Sequence, residues 1–561
     1  MALYIGFDSS TQSLTAVVIA VGGPDRRIVF ERTLQFDEVM PQYMTRHGVL
    51  PSEDGRTVVA PTAMWADALD RMMAILASSG LTLSEVRALS GAAQQHGSVY
   101  LSEPGIAGLS HLDPERPLAP QVGMLLSRPV SPVWLDSSTT SECRALTSAV
   151  GGDAALARLT GSRAYERFTA AQIRKFATKE PDAYAATARI HLVSSFMASL
   201  LAGREAPLEP GDASGMNLMD LASRTWSPAA LSATAPDLLR RLPTIKESWT
   251  IAGDLAPYWH RRYGFSPARV VAWTGDNPSS LIGLGLHSPG QLAISLGTSD
   301  TVFGPIAAPA HDPNGAGHVF GSPAGGYMAL TCFANGSLAR EHIRDDHRLD
   351  WSRFSAALRR TAPGNGGALM LPWFIREITP HTEHAGVRRL GLDPGDADRN
   401  VRAVVEAQAM SMRVHSRWIV DHARTIRATG GAAENEDVLQ VIADVFDAEV
   451  VRLATTNSGA LGAALRAYHA DCLASGHPIS WDEVVAGFTD PAPGPPVRPR
   501  AANVAIYAEL AKQYERFEES GIKDQGSGIG DQGSGTRVRG ARGERRGAKT
   551  ERRGAGSEVN E

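Results

Sequence analysis

Two aspartates stand beside short turns that are rich in hydroxyl side chains. Asp8 ends an apolar run and leads into the Ser/Thr-rich turn at 9–13, and Asp276 lies within 274–278, shortly before a second apolar run that enters the turn at 297–299. Backbone N–H groups and short hydroxyls in such turns can bind phosphate oxygens, and a carboxylate can hold Mg²⁺. The pattern predicts a phosphoryl-transfer enzyme that grips a polyphosphate and its metal ion from two sides.

Each aspartate has two possible roles at this level. Asp8 could cap the turn that follows it, or it could hold Mg²⁺ through water at the edge of a sheet. Asp276 could be the N-cap of the helical pattern that begins near 279, or it could be a general base that accepts the proton of an attacking hydroxyl. The residues around each aspartate leave both alternatives open.

A third segment has a pattern that suits a nucleotide. Gly430 and Gly431 precede a helical pattern that begins near Asp437, and Asn435 lies between the glycines and that helix. Adjacent glycines let a backbone approach a flat ligand closely, and an amide side chain can hydrogen-bond a base or a ribose. The segment is therefore a candidate for contact with the adenosine part of ATP.

The composition indicates two large domains and a small ligand. The 561 residues exceed the roughly 250–300 that one hydrophobic core organises. With 43% hydrophobic residues and a net charge of −5, general attraction to nucleic acids or membranes is excluded. The three cysteines lie far apart, and neither a targeting signal nor a membrane-spanning run is visible. We expect a cytoplasmic monomer or homodimer without a nucleic-acid or membrane partner.

The chain alternates between patterns typical of strands and of helices. Residues 3–7, 14–20 and 27–36 predict a meander of strands, and the apolar spacing in 64–78 and 401–422 predicts helices. Such alternation favours α/β layers. A break at 286–290 divides the chain into an N-terminal domain, 1–287, and a C-terminal domain, 288–517. The Arg/Gly-rich remainder, 518–561, is expected to be a disordered tail.

The order of the motifs resembles that of the FGGY carbohydrate kinases. The resemblance spans nearly the whole chain before the tail, and within the family it is nearest to the animal and plant branch that acts on D-xylulose. The segments that carry it are 6–13, 90–98, 132–140, 160–169, 212–218, 274–278, 295–301, 335–338 and 430–447.

The resemblance implies a fold and a reaction. The fold would be α/β, with two actin-like (ribonuclease-H-like) domains and a catalytic cleft between them. The reaction would be ATP-dependent phosphorylation of D-xylulose to D-xylulose 5-phosphate with Mg²⁺. Asp276 would be the general base, and Asp8 would be the second catalytic carboxylate and would hold Mg²⁺ through water.

The resemblance also assigns binding residues. The residues expected to bind the sugar are Gln95, His96, Asp136, Arg167, Asp276 and Asn277. The residues expected to bind ATP are Thr11, Gln12, Gly297, Thr298, Trp351, Gly430, Gly431, Ala432 and Asn435.

Two alternatives to the phosphorylation of D-xylulose remain. The sugar could be another pentulose or polyol, such as ribulose or xylitol, or the protein could be an actin-like ATPase switch.

One residue departs from the family pattern at the first turn. Many family members carry Lys or Arg shortly after this turn, where this chain has Thr15. The phosphates would then be held by Mg²⁺ and backbone donors.

Overall fold

The computed structural model describes residues 1–22, 26–312, 315–453 and 457–526. Its strands, in chain order, are β1 (Ala2–Ser9), β2 (Ser13–Val21), β3 (Arg27–Gln35), β4 (Val59–Pro61), β5 (Val86–Ala93), β6 (Ser98–Ser102), β7 (Leu126–Arg128), β8 (Val130–Pro132), β9 (Thr187–Leu192), β10 (Met219–Asp220), β11 (Thr225–Trp226), β12 (Ile251–Asp254), β13 (Arg269–Val271), β14 (Thr274–Gly275), β15 (Leu292–Leu296), β16 (Asp300–Ile306), β17 (His318–Gly321), β18 (Tyr327–Phe333), β19 (Leu369–Leu371), β20 (Arg388–Leu390), β21 (Thr425–Thr429) and β22 (Glu449–Arg452).

The α-helices fill the intervals between these strands and cover the sheets. In chain order they are α1 (Phe36–Val39), α2 (Thr62–Ser78), α3 (Glu103–Gly108), α4 (Leu118–Gly123), α5 (Thr140–Val150), α6 (Asp153–Thr160), α7 (Thr169–Lys179), α8 (Pro181–Ala185), α9 (Val193–Ala202), α10 (Pro210–Ala213), α11 (Pro228–Thr234), α12 (Leu238–Arg241), α13 (Pro257–Tyr263), α14 (Asp276–Gly283), α15 (Ser337–Asp346), α16 (Trp351–Arg360), α17 (Ala397–His415), α18 (Glu436–Phe446), α19 (Ser458–Ala474), α20 (Trp481–Val485) and α21 (Ala501–Gly526).

The first half of the chain is built on a mixed sheet with the strand order β12-β13-β5-β1-β2-β3. Strands β1, β2 and β3 form an antiparallel meander, and β5 runs parallel to β1. The central strands are buried on both faces, as sheets between helical layers require. Leu3, Ile5 and Phe7 pack in one core with α2 and α9, while Tyr4 belongs to a core that includes α19.

The second half repeats this arrangement in a sheet with the order β17-β18-β16-β15-β21-β22. Strands β15, β16 and β18 form the antiparallel meander, and β21 and β22 extend the sheet in parallel to β15. Strand β15 thus takes the place of β1, and β21 takes the place of β5. The repeat confirms the predicted α/β fold with two ribonuclease-H-like halves.

Helix α19 follows the second sheet in the chain but packs against the first. Its buried residues Ala460, Leu461 and Ala464 contact the core that contains Tyr4. The approach is so close that glycine is required: a Cβ at Gly6 would overlap the carbonyl oxygen of Ala460. Helix α19 therefore covers one face of the sheet formed by the opposite end of the chain.

Helices α14 and α19 also cross in direct backbone contact. A Cβ at Gly462 would overlap the carbonyl oxygen of Ser279, and a Cβ at Gly283 would overlap that of Ser458. The Ser279 hydroxyl donates a hydrogen bond of 2.8 Å to the Gly459 carbonyl at the crossing. These contacts fix the position of α14, whose first residue is Asp276.

The tail prediction was wrong at its start, because α21 continues to Gly526. Glu518 is buried, and its Oε2 accepts a 2.7 Å hydrogen bond from the His415 ring. Ile522 packs against a hydrophobic core that residues of both halves form. The rest of the predicted tail, 527–561, lies outside the described residues. None of the helices in the described ranges is long and apolar enough to cross a membrane.

Candidate active site

Three strands of the first sheet end at the same edge, and each delivers a polar side chain there. Strand β1 ends beside Asp8, the parallel strand β5 ends two residues before Gln95, and β14 leads directly into Asp276. Parallel strands bring their carboxyl ends to one edge of a sheet, which is where α/β proteins place ligands. Residues that are far apart in the chain thus form one polar site.

Asp276 is the first residue of α14, and Gly275 is its N-cap, so the N-cap alternative for Asp276 is wrong. The Asn277 backbone N–H donates a 2.8 Å hydrogen bond to Asp276 Oδ1, and the Asn277 side-chain amide donates to Gln95 Oε1 at 3.0 Å. Burial raises the pKa of Asp276 to about 6, although hydrogen bonds from Asn277 and Gln95 act in the opposite direction. The structure brings the three residues together as one group.

Asp8 is the second carboxylate at this edge. Its Oδ1 is buried without a hydrogen-bond partner, and burial together with the charge of Asp276 raises its pKa to about 7. Thr15 stands opposite it on β2, so that strand provides no cation. An unpaired buried carboxylate oxygen facing another carboxylate fits a divalent cation. Within the described ranges no cluster of three His, Cys, Asp or Glu could hold a metal alone, so such an ion would need water or phosphate ligands.

His96 lies beside this group in a fixed orientation. Its backbone has φ 73°, and its ring stacks on Phe168 with centroids 4.2 Å apart. Nδ1 lies 2.7 Å from the Gly215 carbonyl, which can only accept, so Nδ1 carries the proton. Burial and the nearby Arg167 lower the pKa of His96 to about 3. The imidazole is therefore neutral and suited to hydrogen bonding a hydroxyl rather than to acid catalysis.

Arg167 is held near His96 by His318, a residue that the sequence motifs did not indicate. Its Nη2 donates to His318 Nε2 at 3.2 Å, and its guanidinium carbon lies 4.7 Å from the Tyr165 ring centroid. His318 belongs to β17 in the second half, and its Nδ1 bonds the Ser162 hydroxyl at 3.0 Å. The buried His318 thus ties the Arg167 segment of the first half to the second sheet.

The remaining predicted residues of the first half make internal contacts. Asp136 accepts from the Val58 N–H at 2.9 Å, from Ser138, and from the Gln172 amide at 2.8 Å. Its carboxylate oxygens therefore hold the loop that carries Trp134.

Thr11 and Gln12 were predicted to bind ATP, but they do not line the cavity of the second half that contains Gly297 and Trp351. The Thr11 hydroxyl accepts from Trp134 Nε1 at 2.7 Å and donates to Gln94. Gln12 is exposed, and its carbonyl accepts from the Phe36 N–H at 2.8 Å.

A buried polar network supports the strand that leads into Asp276. The Thr274 hydroxyl donates to Glu209 Oε1, and the Arg466 guanidinium on α19 donates to the carbonyls of Ala272 at 2.6 Å and Gly91 at 3.1 Å. The charge of Glu209 favours the cationic form of Arg466, but burial prevails and lowers its pKa to about 10. The network joins β5, β14 and α19 beneath the site.

A large cavity in the second half brings together most residues predicted to bind ATP. Its volume is about 1000 Å³, and its lining includes Gly297, Thr298, Trp351, Gly431, Ala432 and Asn435. Gly430 does not line the cavity, but it backs the β15 turn: it has φ 88°, and a Cβ there would lie 2.5 Å from the Leu296 carbonyl oxygen. Gly430 therefore allows close backbone packing, and Gly431 forms part of the cavity wall.

The turn at 297–299 is fixed to the structure behind it. The Gly297 carbonyl accepts a 2.8 Å hydrogen bond from the Ser337 N–H. Asp300, just after the turn, forms a buried two-bond ion pair with Arg340 at 2.9 and 3.1 Å. Two parallel N–H···O bonds hold a carboxylate in one geometry, so the turn is preorganised.

Asn435 and Trp351 form the far side of the cavity. Asn435 is the N-cap of α18, accepting from the Asp437 and Val438 N–H groups, and its amide donates to the Ser355 hydroxyl at 2.8 Å. Trp351 keeps 43% of its surface exposed, with the Arg344 guanidinium carbon 4.6 Å from its ring centroid. The indole is available to a flat ligand, whereas the Asn435 side chain already has partners.

Both halves match models of one protein family. The C-terminal domain of the FGGY family of carbohydrate kinases matches residues 292–470, and its N-terminal domain matches 128–283. The chain belongs to the FGGY family of carbohydrate kinases and is a sugar kinase, a phosphotransferase.

Within the family, the similar curated proteins include xylulose kinases. Those of Mus musculus and Rattus norvegicus are 42% and 43% identical to this chain; the alignments cover 92% of it and 94% and 96% of the relatives. Xylulose kinase 2 of Arabidopsis thaliana is 42% identical over 83% of this chain and 87% of its own length. These relatives come from animals and a plant, which confirms the predicted resemblance to the animal and plant branch of the family.

Solved structures agree on the fold. A xylulose kinase from Rhodospirillum rubrum has a TM-score of 0.78 at 19% identity, covering 93% of this chain and 100% of that one. A gluconate kinase from Lactobacillus acidophilus has a TM-score of 0.79 at 17% identity, covering 94% and 99%. At such identities the similarity establishes the fold and leaves the sugar open.

Proposed function

We propose that the chain transfers the γ-phosphoryl group of ATP to the C5 hydroxyl of D-xylulose and releases D-xylulose 5-phosphate and ADP. The observation that carries the proposal is the pairing of Asp276 with Asp8 at the sheet edge where Gln95 and His96 also lie. The identity of 42–43% to xylulose kinases over 92% of the chain supports D-xylulose as the sugar.

Asp276 acts as the general base in this proposal. A pKa of about 6 leaves its carboxylate ionised at pH 7 but more basic than an ordinary aspartate. Gln95 and Asn277 hold its position, and the neutral imidazole of His96 is placed to bind a sugar hydroxyl. Arg167, held by His318, would bind the sugar from the second side.

The phosphates would lie between the two sheets. The preorganised turn at 297–299 offers hydroxyls and N–H groups from the second half, and Asp8 offers a carboxylate from the first. Asp8 would hold Mg²⁺ through water, and the ion would supply positive charge that screens the phosphate oxygens. Since the transition state is loose, positioning and charge neutralisation account for most of the rate enhancement.

The proposal is tested by the dependence of ADP release on the sugar. With purified full-length enzyme, ATP and Mg²⁺, D-xylulose should give a higher kcat/KM than D-ribulose, xylitol or glycerol. A higher value for ribulose or xylitol would assign the chain to another sugar of the same class. ATP hydrolysis that does not depend on any sugar would instead favour the actin-like switch.

Replacing Trp351 by Ala should raise the KM for ATP about three- to tenfold with little change in kcat, because an exposed aromatic ring contributes stacking energy to a bound base. Steady-state kinetics at saturating D-xylulose measures both constants. Trp351→Phe keeps a smaller ring, so its KM for ATP should lie between those of the wild type and Trp351→Ala. An unchanged KM for ATP in Trp351→Ala would remove this residue from the nucleotide site.

Replacing His318 by Ala should raise the KM for D-xylulose about tenfold and leave the KM for ATP near wild type. The variant removes the acceptor that holds Arg167 Nη2. His318→Gln is the matched control, because its amide oxygen can stand near the position of Nε2 and accept the same bond. Equal kinetics in all three proteins would show that His318 has no part in positioning Arg167.

A further inference from the structure

The carboxylate of Glu209 is fully buried and accepts hydrogen bonds from three different segments of the first half. The Thr274 hydroxyl and the Asp212 backbone N–H both donate to Oε1, the N–H at 2.7 Å. The Ser248 hydroxyl donates to Oε2 at 2.5 Å. A buried carboxylate is costly unless such donors and an opposite charge offset its lost hydration. Glu209 therefore joins these three segments in one fixed arrangement.

The bond from Thr274 connects Glu209 to the catalytic carboxylate. Thr274 belongs to β14, a strand of two residues that pairs with the end of β5 and is followed directly by Asp276. So short a strand has few backbone hydrogen bonds, and the side-chain bond to Glu209 adds substantially to what fixes it. Proton transfer requires heavy atoms within about 2.6–3.2 Å, so a small displacement of Thr274 would matter at Asp276.

The turn that begins at Glu209 also carries the acceptors for two side chains expected to bind the sugar. Glu209 is the N-cap of α10. The Gly211 carbonyl accepts from the Gln95 side-chain amide at 3.4 Å. The Gly215 carbonyl accepts the 2.7 Å bond that orients the His96 ring. The same buried carboxylate is therefore linked to the base and to the sugar-binding residues.

Arg466 of α19 supplies the opposite charge. Its guanidinium donates to the Ala272 carbonyl at 2.6 Å, two residues before Thr274 in the chain. Burial lowers the pKa of Arg466 to about 10, and among the neighbouring carboxylates Glu209 counteracts this most strongly. The strand that leads to Asp276 is thus held through its backbone by Arg466 and through a side chain by Glu209.

We propose that Glu209 is a positioning residue for phosphoryl transfer. Through Thr274 it places the Asp276 carboxylate, and through the turn at 209–215 it places the sugar-binding side chains. Glu209 is fully buried, so it acts through these neighbours rather than by contact with a substrate. The proposal rests on Asp276 acting as the general base.

The test compares two variants that each remove one hydroxyl donor from Glu209. Thr274→Val has the same shape without the hydroxyl, and it should lower kcat about 10- to 30-fold with both KM values within about twofold of wild type. Ser248→Ala is the matched control: it removes the other hydroxyl donor, but from a segment that does not lead into Asp276, and its kcat should stay within about twofold of wild type. Steady-state kinetics with the preferred sugar and thermal unfolding are measured on both full-length proteins. A purely structural role of Glu209 would give both variants the same kcat, and that result would overturn the proposal.

Variants of Glu209 itself provide a second measurement. The amide oxygen of Glu209→Gln can still accept from Thr274 and from the Asp212 N–H, so its kcat should exceed that of Glu209→Ala by about tenfold or more. Equal kcat in the Gln and Ala variants would contradict the proposal. If Glu209→Ala does not fold, Glu209→Gln is compared with Thr274→Val and should have the higher kcat. Asp276→Asn distinguishes the two levels of the argument: if it is inactive while Thr274→Val has wild-type kcat, only the role of Glu209 fails, whereas an active Asp276→Asn overturns both assignments.

Discussion

Replacing Asp276 by Asn is expected to lower kcat about 10³- to 10⁴-fold while ATP binding stays near wild type. The amide has the size of the carboxylate and still offers an oxygen to the Asn277 N–H, but it cannot take the proton of a hydroxyl. The nucleotide cavity is lined by residues of the second half and should be unaffected. A coupled assay for ADP measures kcat, and fluorescence titration with an ATP analogue measures nucleotide binding.

The pH dependence provides a second measurement of the same residue. Asp276 works as a base and Asp8 holds Mg²⁺ only in their deprotonated forms, so kcat/KM of the wild-type enzyme should begin to fall as the pH drops below about 7 and should fall more steeply below about 6. The residual rate of Asp276→Asn should keep only the shallower limb that belongs to Asp8. Asp254→Asn, at the exposed end of a strand in the same sheet, should behave like wild type. Activity within tenfold of wild type in Asp276→Asn would refute the assignment.

Replacing Gly462 by Ala is expected to destabilise the protein by more than about 4 kcal/mol or to prevent folding. The added methyl group would overlap the carbonyl oxygen of Ser279, and backbone in a tight helix crossing cannot move aside as a side chain can. Any protein that does fold should also have a low kcat, because α14 carries Asp276 at its first residue. Thermal unfolding followed by circular dichroism, together with the kinase assay, measures both effects.

A control separates this steric effect from the general effect of adding a methyl group. Gly123→Ala places a Cβ at the end of α4, where no atom lies within 4 Å, and it should change the free energy of unfolding by less than about 1 kcal/mol. Equal stability of Gly462→Ala and Gly123→Ala would mean that the two helices are separated more widely than described here.

The sequence predicted the parts of the fold that depend on local pattern. Strands β1 and β2 were expected because their apolar runs are continuous, and they lie in the sheet within a few residues of the predicted ends. The helix predicted at 401–422 instead runs from Ala397 to His415, with Asp396 as its N-cap. The tail was placed too early because the contact that orders it, between Glu518 and His415, is long-range.

The candidate site was predictable where a polar motif directly follows a strand. Asp8 and Asp276 were found this way, since strand ends and turn residues are visible in sequence, whereas Gln95 was assigned only by the resemblance to the family. His318 was missed because nothing near it in the chain marks it, and its partner Arg167 is 151 residues away. The alternative for Asp276 as an N-cap could be decided only by the geometry of Gly275.

The packing of α19 on the first sheet limits how this chain can be divided in the laboratory. An isolated 1–287 fragment would expose the face of β1 and β2 that Leu461 and Leu465 cover, and a 288–526 fragment would carry an apolar helix without its groove. If the chain is divided after residue 287, kinase activity should therefore return only when the two fragments are produced together. Each fragment alone should aggregate, since the two ends of the polypeptide complete a single core.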